Sequence, residues 1–301
     1  MKVITEVGSN VGMVKKALSR FGHNVEHNLH HYLAIASAKT KPVFFSFPRD
    51  RGVLASREKG KLDIFPGGVL APKEERMGLL EKVLSRAFQG GAKKVVVEVD
   101  GSSRKQILSS LKGSGRFKAL RTSYILYWPT FDMERFDVKL PGRRWKKMRN
   151  IRNRFVKQHL IRIVDSRKVP QEKLKEIMRQ WLRKRNHGDT VKKDYYLNLI
   201  NSNFKGLGIA KTIYVDGEPC TITAGWDVPN GKKHYYSAIG ILNYRHKGLG
   251  EFANLMDLIH LKRKGYKLVD FGGSDESLLT FKNKFRPHQV YKTYSFSIVR
   301  K

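Results

Sequence analysis

The chain has 301 residues, 40% of them apolar, enough to fill one large domain or two ordinary ones. Sixty Lys and Arg against 26 Asp and Glu give a net charge of +34 and point to a polyanionic partner: nucleic acid, an anionic membrane surface or a phosphorylated cofactor. A generally basic proteome or the lysine enrichment of hyperthermophiles is the bland source of such charge, but that enrichment usually brings glutamate too. One cysteine, Cys220, excludes a disulfide framework and reads as a small buried hydrophobe. No apolar run approaches the roughly 18 residues of a spanning helix, and the start MKVITEVGSN has no signal-like core, so a cytoplasmic or peripheral protein is expected.

A short β-like run opens the chain, followed by a helical pattern through Val14, Leu18 and Phe21. His23, His27, His30 and His31 come next, spaced so that three imidazoles share a helix face. No Asp or Cys completes a ligand set there, so packed or solvated histidines are expected and no metal. Tyr32 to Ala38 and Val43 to Phe47 read as paired strands. Leu62 to Leu70 reads as a strand entering a helix from Lys73 to Gln89, and Val95 to Val99 as a buried strand. Ser102 starts another helix, and Ser123 to Trp128 is the last strand of a β-β-β-α-β-α-β order.

Residues 139 to 158 are different in character. Arg143 to Lys157 carries eight basic residues and no acid, while Trp145, Met148, Ile151, Arg152 and Phe155 repeat at helical spacing. One face therefore packs. The other presents Arg143, Arg144, Lys146, Lys147, Arg149, Arg152 and Arg154 to solvent or to a phosphate-bearing partner, either RNA or lipid. The second half follows, with helices over Glu172 to Lys184 and Asp194 to Ile200. Strands Ile209 to Val215 and Thr221 to Asp227 flank the turn Asp216-Gly217.

The stretch from 235 to 286 carries the most chemistry. An apolar strand, Tyr235 to Leu242, runs into Arg245-His246-Lys247-Gly248-Leu249-Gly250 and then a helix with Phe252, Leu255, Met256 and Ile259 on one face, ended by Gly265. Helix N-termini offer free N–H groups and a positive dipole end, and Gly248 and Gly250 allow an anion to approach the backbone. The plain alternative is a βα connection that uses glycine for steric reasons. A strand over Lys267 to Phe271, then Gly272-Gly273, a short helix and Phe281-Lys282-Asn283-Lys284-Phe285 complete the stretch.

Arg-x-x-Gly-x-Gly between a strand and a helix resembles the acyl-CoA pyrophosphate loop of the GNAT acyltransferase superfamily. With the double glycine and Phe-Lys-x-x-Phe, the ending resembles Fem-type aminoacyl transferases and the C-terminal domain of lysylphosphatidylglycerol synthases. The resemblance covers about the last 110 residues and more weakly reaches residue 120. It implies an α/β (α+β) chain of two tandem GNAT-like domains, each a mixed, mostly antiparallel sheet flanked by helices. On this reading residues 1–138 are a degenerate GNAT-like domain without the loop, 139–160 a basic linking helix, and 161–301 the catalytic domain.

The same resemblance implies an acyl- or aminoacyl-transferase moving its group from acyl-CoA (acetyl-CoA) or aminoacyl-tRNA to an amine or hydroxyl acceptor. Backbone N–H groups near Ala238 to Ile241, those of Ile239 and Ile241 included, would polarise the carbonyl, and Arg245 to Gly250 would hold the donor's phosphates. Lys282 would neutralise charge near the donor, with Asp227, Tyr235 and Tyr236 as candidate acid or base groups. A surface lysine and packed strand aromatics are the plain readings of the same residues. The competing class is a non-catalytic RNA- or polyanion-binding protein on the same scaffold.

Overall fold

The computed structural model describes residues 1–185 and 192–301. In the first half, β1 (Lys2–Ile4) leads to α1 (Val11–Phe21) and α2 (Leu29–Ala34), then to β2 (Lys41–Phe47), β3 (Arg51–Glu58) and β4 (Lys61–Leu70). Helix α3 (Arg76–Gln89), β5 (Lys94–Asp100), α4 (Gly101–Ser114) and the long strand β6 (Phe117–Asp132) follow. The basic helix α5 (Lys146–Gln158) bridges to β7 (Ile161–Asp165), α6 (Gln171–Arg183), α7 (Lys193–Asn201), β8 (Ile209–Val215), β9 (Glu218–Pro219), β10 (Thr221–Asp227) and β11 (His234–Leu242). The chain ends with α8 (Leu249–Arg263), β12 (Leu268–Asp270), α9 (Glu276–Lys282) and β13 (Gln289–Arg300).

These strands form one sheet in the order β1-β2-β3-β4-β5-β13-β6-β12-β11-β10-β8-β7, with β9 paired to β8. Pairing is antiparallel except at two places, β4 beside β5 and β11 beside β12. Each parallel pair is joined by a helix, α3 or α8, and each holds register for three residues before its strands part. The two halves thus repeat one order: strand, two helices, antiparallel strands, helix, parallel strand. The sheet does not stop between them. β6 pairs with β13 along most of its length and with β12 at Thr130 to Asp132, and β13 lies between β5 and β6 of the first half.

Helices cover both faces. Leu79, Val83 and Leu84 of α3 pack on Val53, Val95 and Val97, while Val14 and Leu18 of α1 and Tyr32 of α2 pack on Phe44 and Leu54 from the other side. In the second half α6 and α7 cover one face, through Leu174, Met178, Trp181 and Leu199. On the other face, α8 is buried on more sides than one apolar stripe would give: Ala253, Leu258 and Leu261 are buried as well as Phe252, Leu255 and Ile259. The added cover is α5, whose Phe155 stacks on Phe252 at 4.8 Å.

Three local expectations need correction. Residues 29 to 34 are helix, not part of a strand over Tyr32 to Ala38, because the Asn28 side chain caps them by accepting from the N–H groups of His30 and His31. The partner of β2 is instead β3, reached across Pro48 to Asp50, with Arg49 and Asp50 both at positive φ. The last strand of the first half extends well beyond Ser123 to Trp128, because β13 pairs along it as far as Phe117.

Candidate active site

The parting of β11 from β12 makes the site. Pairing ends at Tyr236 opposite Asp270, so beyond that point β11 has no strand on this edge. On its other edge the register with β10 slips, with Ala224 opposite Ile239 but Gly225 opposite Ser237, which leaves Ala238 as a bulge. Backbone groups around Ala238 are thereby freed from regular pairing, where the sequence placed a carbonyl-polarising role. The side chains of Ile239 and Ile241 are buried in the core under α6, so only their backbone can take part.

Opposite them, β12 runs into Phe271-Gly272-Gly273-Ser274, and Ser274 bridges back to Tyr127 of β6. Gly272 has φ +78, and a Cβ on Gly273 would stand 2.9 Å from Leu126 Cδ1 and 3.1 Å from Trp128. The carbonyls of Phe271 and Gly272 both accept from the Lys282 ammonium, the latter at 3.0 Å. Lys282 is only 9% exposed. Burial lowers its pKa to about 8, against the pull of Asp270 and Asp275. The surface-lysine alternative is therefore wrong for this residue.

Asp270 is fully buried, and desolvation raises its carboxyl to about 6 although the Gly272 N–H (2.7 Å) and the Tyr291 hydroxyl (2.9 Å) bond to it. Two acids of the first half join it. Glu26 accepts from the Tyr236 hydroxyl at 3.4 Å, and its pKa is raised by burial and then by the nearby charges of Glu98 and Asp270. Glu98, also raised by burial, accepts from Thr293, which in turn accepts from the Trp128 indole at 2.8 Å. Glu26 reaches the second half because residues 22 to 36 lie across it. The indole of Trp226 donates to the Val25 carbonyl, and Asn198 donates to the carbonyls of Ala34 and Ala36. Sequence reasoning missed Glu26 and Glu98, since neither lies in a motif. Only the fold brings them to Asp270, so no local pattern marks them.

The glycine-bearing loop before α8 stands beside this gap. Gly248 is the N-cap of α8 at φ +87, and its Cβ position is 3.2 Å from Ile151 of α5. The N–H groups of Gly250 and Glu251 lie in the first turn, where a helix has no internal acceptor for them. Arg245 and Lys247 are exposed, His246 is half-buried, and Leu249 packs inward beside Phe155, so it offers only its backbone. In the turn before α5, Arg143 and Arg144 are exposed; on α5 itself Lys146, Lys147 and Arg154 are exposed and Arg152 is half-buried. Arg149 differs, because its guanidinium donates to the carbonyls of Leu140 and Gly142 and holds that turn.

The remaining candidates lie elsewhere. Tyr235 points to the opposite face from Tyr236 and packs with Leu255, Leu258 and Tyr266, and burial raises its hydroxyl far above the usual range. Asp227 is exposed at the other end of the β10–β11 pair, in register with Tyr235. Neither is brought to Lys282; Tyr236 is the tyrosine turned toward the acids. Of the early histidines, His27 is buried and accepts from the N–H groups of His23 and Asn24, and half-buried His31 packs between Trp226 and Phe65, with Nδ1 on the Tyr195 hydroxyl at 2.7 Å; His23 is exposed. Cys220 is fully buried. A separate groove of about 490 Å³ lies between α8 and β7–β8, lined by Ile163, Arg167, Lys211, Met256 and His260, apart from the gap.

Solved structures share this architecture over nearly the whole chain. L-PGS from Bacillus licheniformis superposes with a TM-score of 0.66 at 13% identity, over 96% of this chain and 91% of that one. A tandem GNAT protein from the clavulanic acid biosynthesis pathway gives 0.58 at 10%, over 99% and 98%. FemX gives 0.60 at 12%, over 99% and 97%. No curated protein matches the chain in sequence. The fold is thus the tandem GNAT fold. The family model described as phosphatidylglycerol lysyltransferase, C-terminal, matches residues 24–296, and the chain belongs to that family. No helix among the described residues is long and apolar enough to cross a membrane.

Proposed function

We propose that the chain transfers an aminoacyl group from aminoacyl-tRNA to an amine or hydroxyl acceptor in the gap between β11 and β12. The observation that carries this reading is the trio of a buried Asp270 and half-buried Glu26 and Glu98, all three carboxyls raised in pKa by desolvation, in a chain of net charge +34. Burying carboxylates costs several kcal/mol unless a cation arrives. An aminoacyl group brings an ammonium, whereas an acetyl group brings none. The exposed cations of α5 and of Arg245 and Lys247 suit the phosphates of the same donor. The family description, with its lysyl group, agrees with a cation-accepting pocket.

In this mechanism the donor's ester carbonyl lies against the backbone N–H groups at the Ala238 bulge, which offset the charge that builds on its oxygen. A neutral amine or a hydroxyl attacks the carbonyl carbon. The bond to the terminal ribose oxygen breaks, and that oxygen takes up the proton that the attacking amine or hydroxyl gives up. The Lys282 ammonium stands by to offset the leaving oxygen's charge, held in place by the Phe271 and Gly272 carbonyls.

The acyl-CoA alternative rests on the Gly248 loop alone. Supplying the protein with lysyl-tRNA, alanyl-tRNA or acetyl-CoA and following transfer to hydroxylamine separates the two. Turnover only with acetyl-CoA rejects the aminoacyl reading. Tight tRNA binding without any transfer leaves a polyanion-binding protein on a GNAT scaffold. Gly248→Val, strained at φ +87 and pressed toward Ile151, is expected to abolish donor binding while the fold persists.

A further inference from the structure

Among the described residues, one group of three potential metal ligands converges: His159, Asp216 and His246, with ligand atoms within 4.8 Å of one another. They come from three separate segments, the end of α5, the turn after β8 and the donor loop before α8. We propose that these three side chains bind a divalent zinc-type cation that staples the donor loop to α5 and to the turn after β8. The proposal is independent of which acyl donor the chain uses.

The carboxylate is positioned from behind. One oxygen of Asp216 accepts the Leu160 N–H at 2.9 Å, and the Asp216 N–H donates to the Leu160 carbonyl at 2.9 Å, so the turn is tied to the residue after His159. The other oxygen pairs with His159 Nδ1 at 2.7 Å. The His159 and His246 rings meet edge-on with centroids 4.8 Å apart, and Phe155 packs against both. The His246 ring makes no hydrogen bond to any described residue, which leaves its nitrogens available; only its backbone carbonyl is engaged, by the Leu249 N–H. The Asp216 side chain is 48% exposed and that of His159 22%, so an ion can enter from solvent.

Two imidazoles and one carboxylate are a donor set that zinc accepts, with bonds of about 2.0–2.2 Å and a fourth position for water. Ligand atoms around a tetrahedral ion with such bonds stand roughly 3.3 Å apart. The His159–Asp216 pair must therefore open slightly, and His246 must swing inward by about an ångström, a change that side-chain rotation in a half-exposed loop permits. The single carboxylate leaves a bound Zn²⁺ with a residual positive charge beside Arg245 and Lys247. That charge works against binding by Coulomb repulsion, screened by the exposure of both cations.

The test is calorimetric titration of chelator-treated protein with Zn²⁺, followed by Co²⁺ as a spectroscopic probe. The expected result is one Zn²⁺ per chain at micromolar or tighter affinity, a higher unfolding temperature, and visible Co²⁺ bands of tetrahedral intensity. His246→Gln removes an imidazole that holds no hydrogen bond to any described residue, so it is expected to fold normally and bind Zn²⁺ at least about tenfold more weakly. Asp216→Asn, checked for folding by circular dichroism, is expected to weaken binding similarly. Millimolar affinity in the wild type overturns the proposal, and so does undiminished binding in His246→Gln, which would assign the ion to other histidines.

Discussion

Replacing Lys282 by Met separates catalysis from stability. Met keeps the length and the apolar stem but removes the ammonium. Two effects on stability then oppose each other. The carbonyls of Phe271 and Gly272 lose their donor, at about 1–3 kcal/mol each when left unpaired. Against this, the buried charge is gone. A fall in the lysine's pKa from its ordinary 10.5 to about 8 corresponds to roughly 3 kcal/mol of disfavoured charge at neutral pH. The net loss expected in urea unfolding at pH 7 is therefore small, at most about 3 kcal/mol. The pH dependence checks this account. Between pH 8 and 10.5 the unfolded lysine still holds a proton that the folded one has shed, so this group makes the wild type more stable as pH rises across that window. Lys282→Met lacks that rise. Single-turnover transfer should fall about 10²- to 10³-fold, because the cation acts on charge that develops during the reaction. A folded variant within threefold of wild-type kcat would refute the catalytic role. A stability profile that keeps the alkaline rise would refute the burial argument.

Glu26→Gln is expected to raise the unfolding temperature relative to wild type at pH 8 but not at pH 5. The folded carboxyl holds its proton above the ordinary range, so its burden grows as pH rises from about 4.5, and differential scanning at the two pH values measures the gap. Gly273→Ala should cost about 1–3 kcal/mol in urea unfolding, since the new methyl presses on Leu126 and on the ring of Trp128. Replacing Lys146, Lys147 and Arg154 together with Ala should flatten the log–log salt dependence of tRNA binding by roughly 0.7–0.9 per lost contact, with stability unchanged. Arg149→Ala should do the reverse, losing about 1–3 kcal/mol because the Leu140 and Gly142 carbonyls lose their donor.

The second half was legible because its signals are local. Asp216-Gly217 marks a hairpin, Gly248 caps α8 and Gly265 follows its end, and each stands where the structure uses it. Residues 29 to 36 misled because Tyr32 to Ala36 is a short apolar run that fits either period; the Asn28 cap was the clue to a helix. β13 was not anticipated although it alternates well, since its partners in β5 and β6 lie far back in the chain and pairing over such distance leaves no trace in a local window. The same holds for the site. Lys282 was found from its flanking phenylalanines, while Glu26, Glu98 and the meeting of His159 with Asp216 and His246 depend on folding that local patterns do not encode. The reading of α8 as a one-sided helix overlooked a second layer: α5 covers the face left for solvent.

The placement of β13 bears on how the protein is made. Phe296 and Ile298 leave the ribosome long after Val97 and Val95, yet they sit opposite them in the middle of the first half's sheet. Until they arrive, β5 and β6 each expose an unpaired edge, and the apolar residues meant for the core have no middle strand to pack on. The first half therefore cannot finish folding until Gln289 to Arg300 have been made, and the nascent chain carries two sticky edges until then, a liability of the kind that chaperones cover. The same wiring makes Gln289 to Arg300 intolerant of deletion. A stop codon before Gln289 removes the centre of a sheet whose other strands were completed long before.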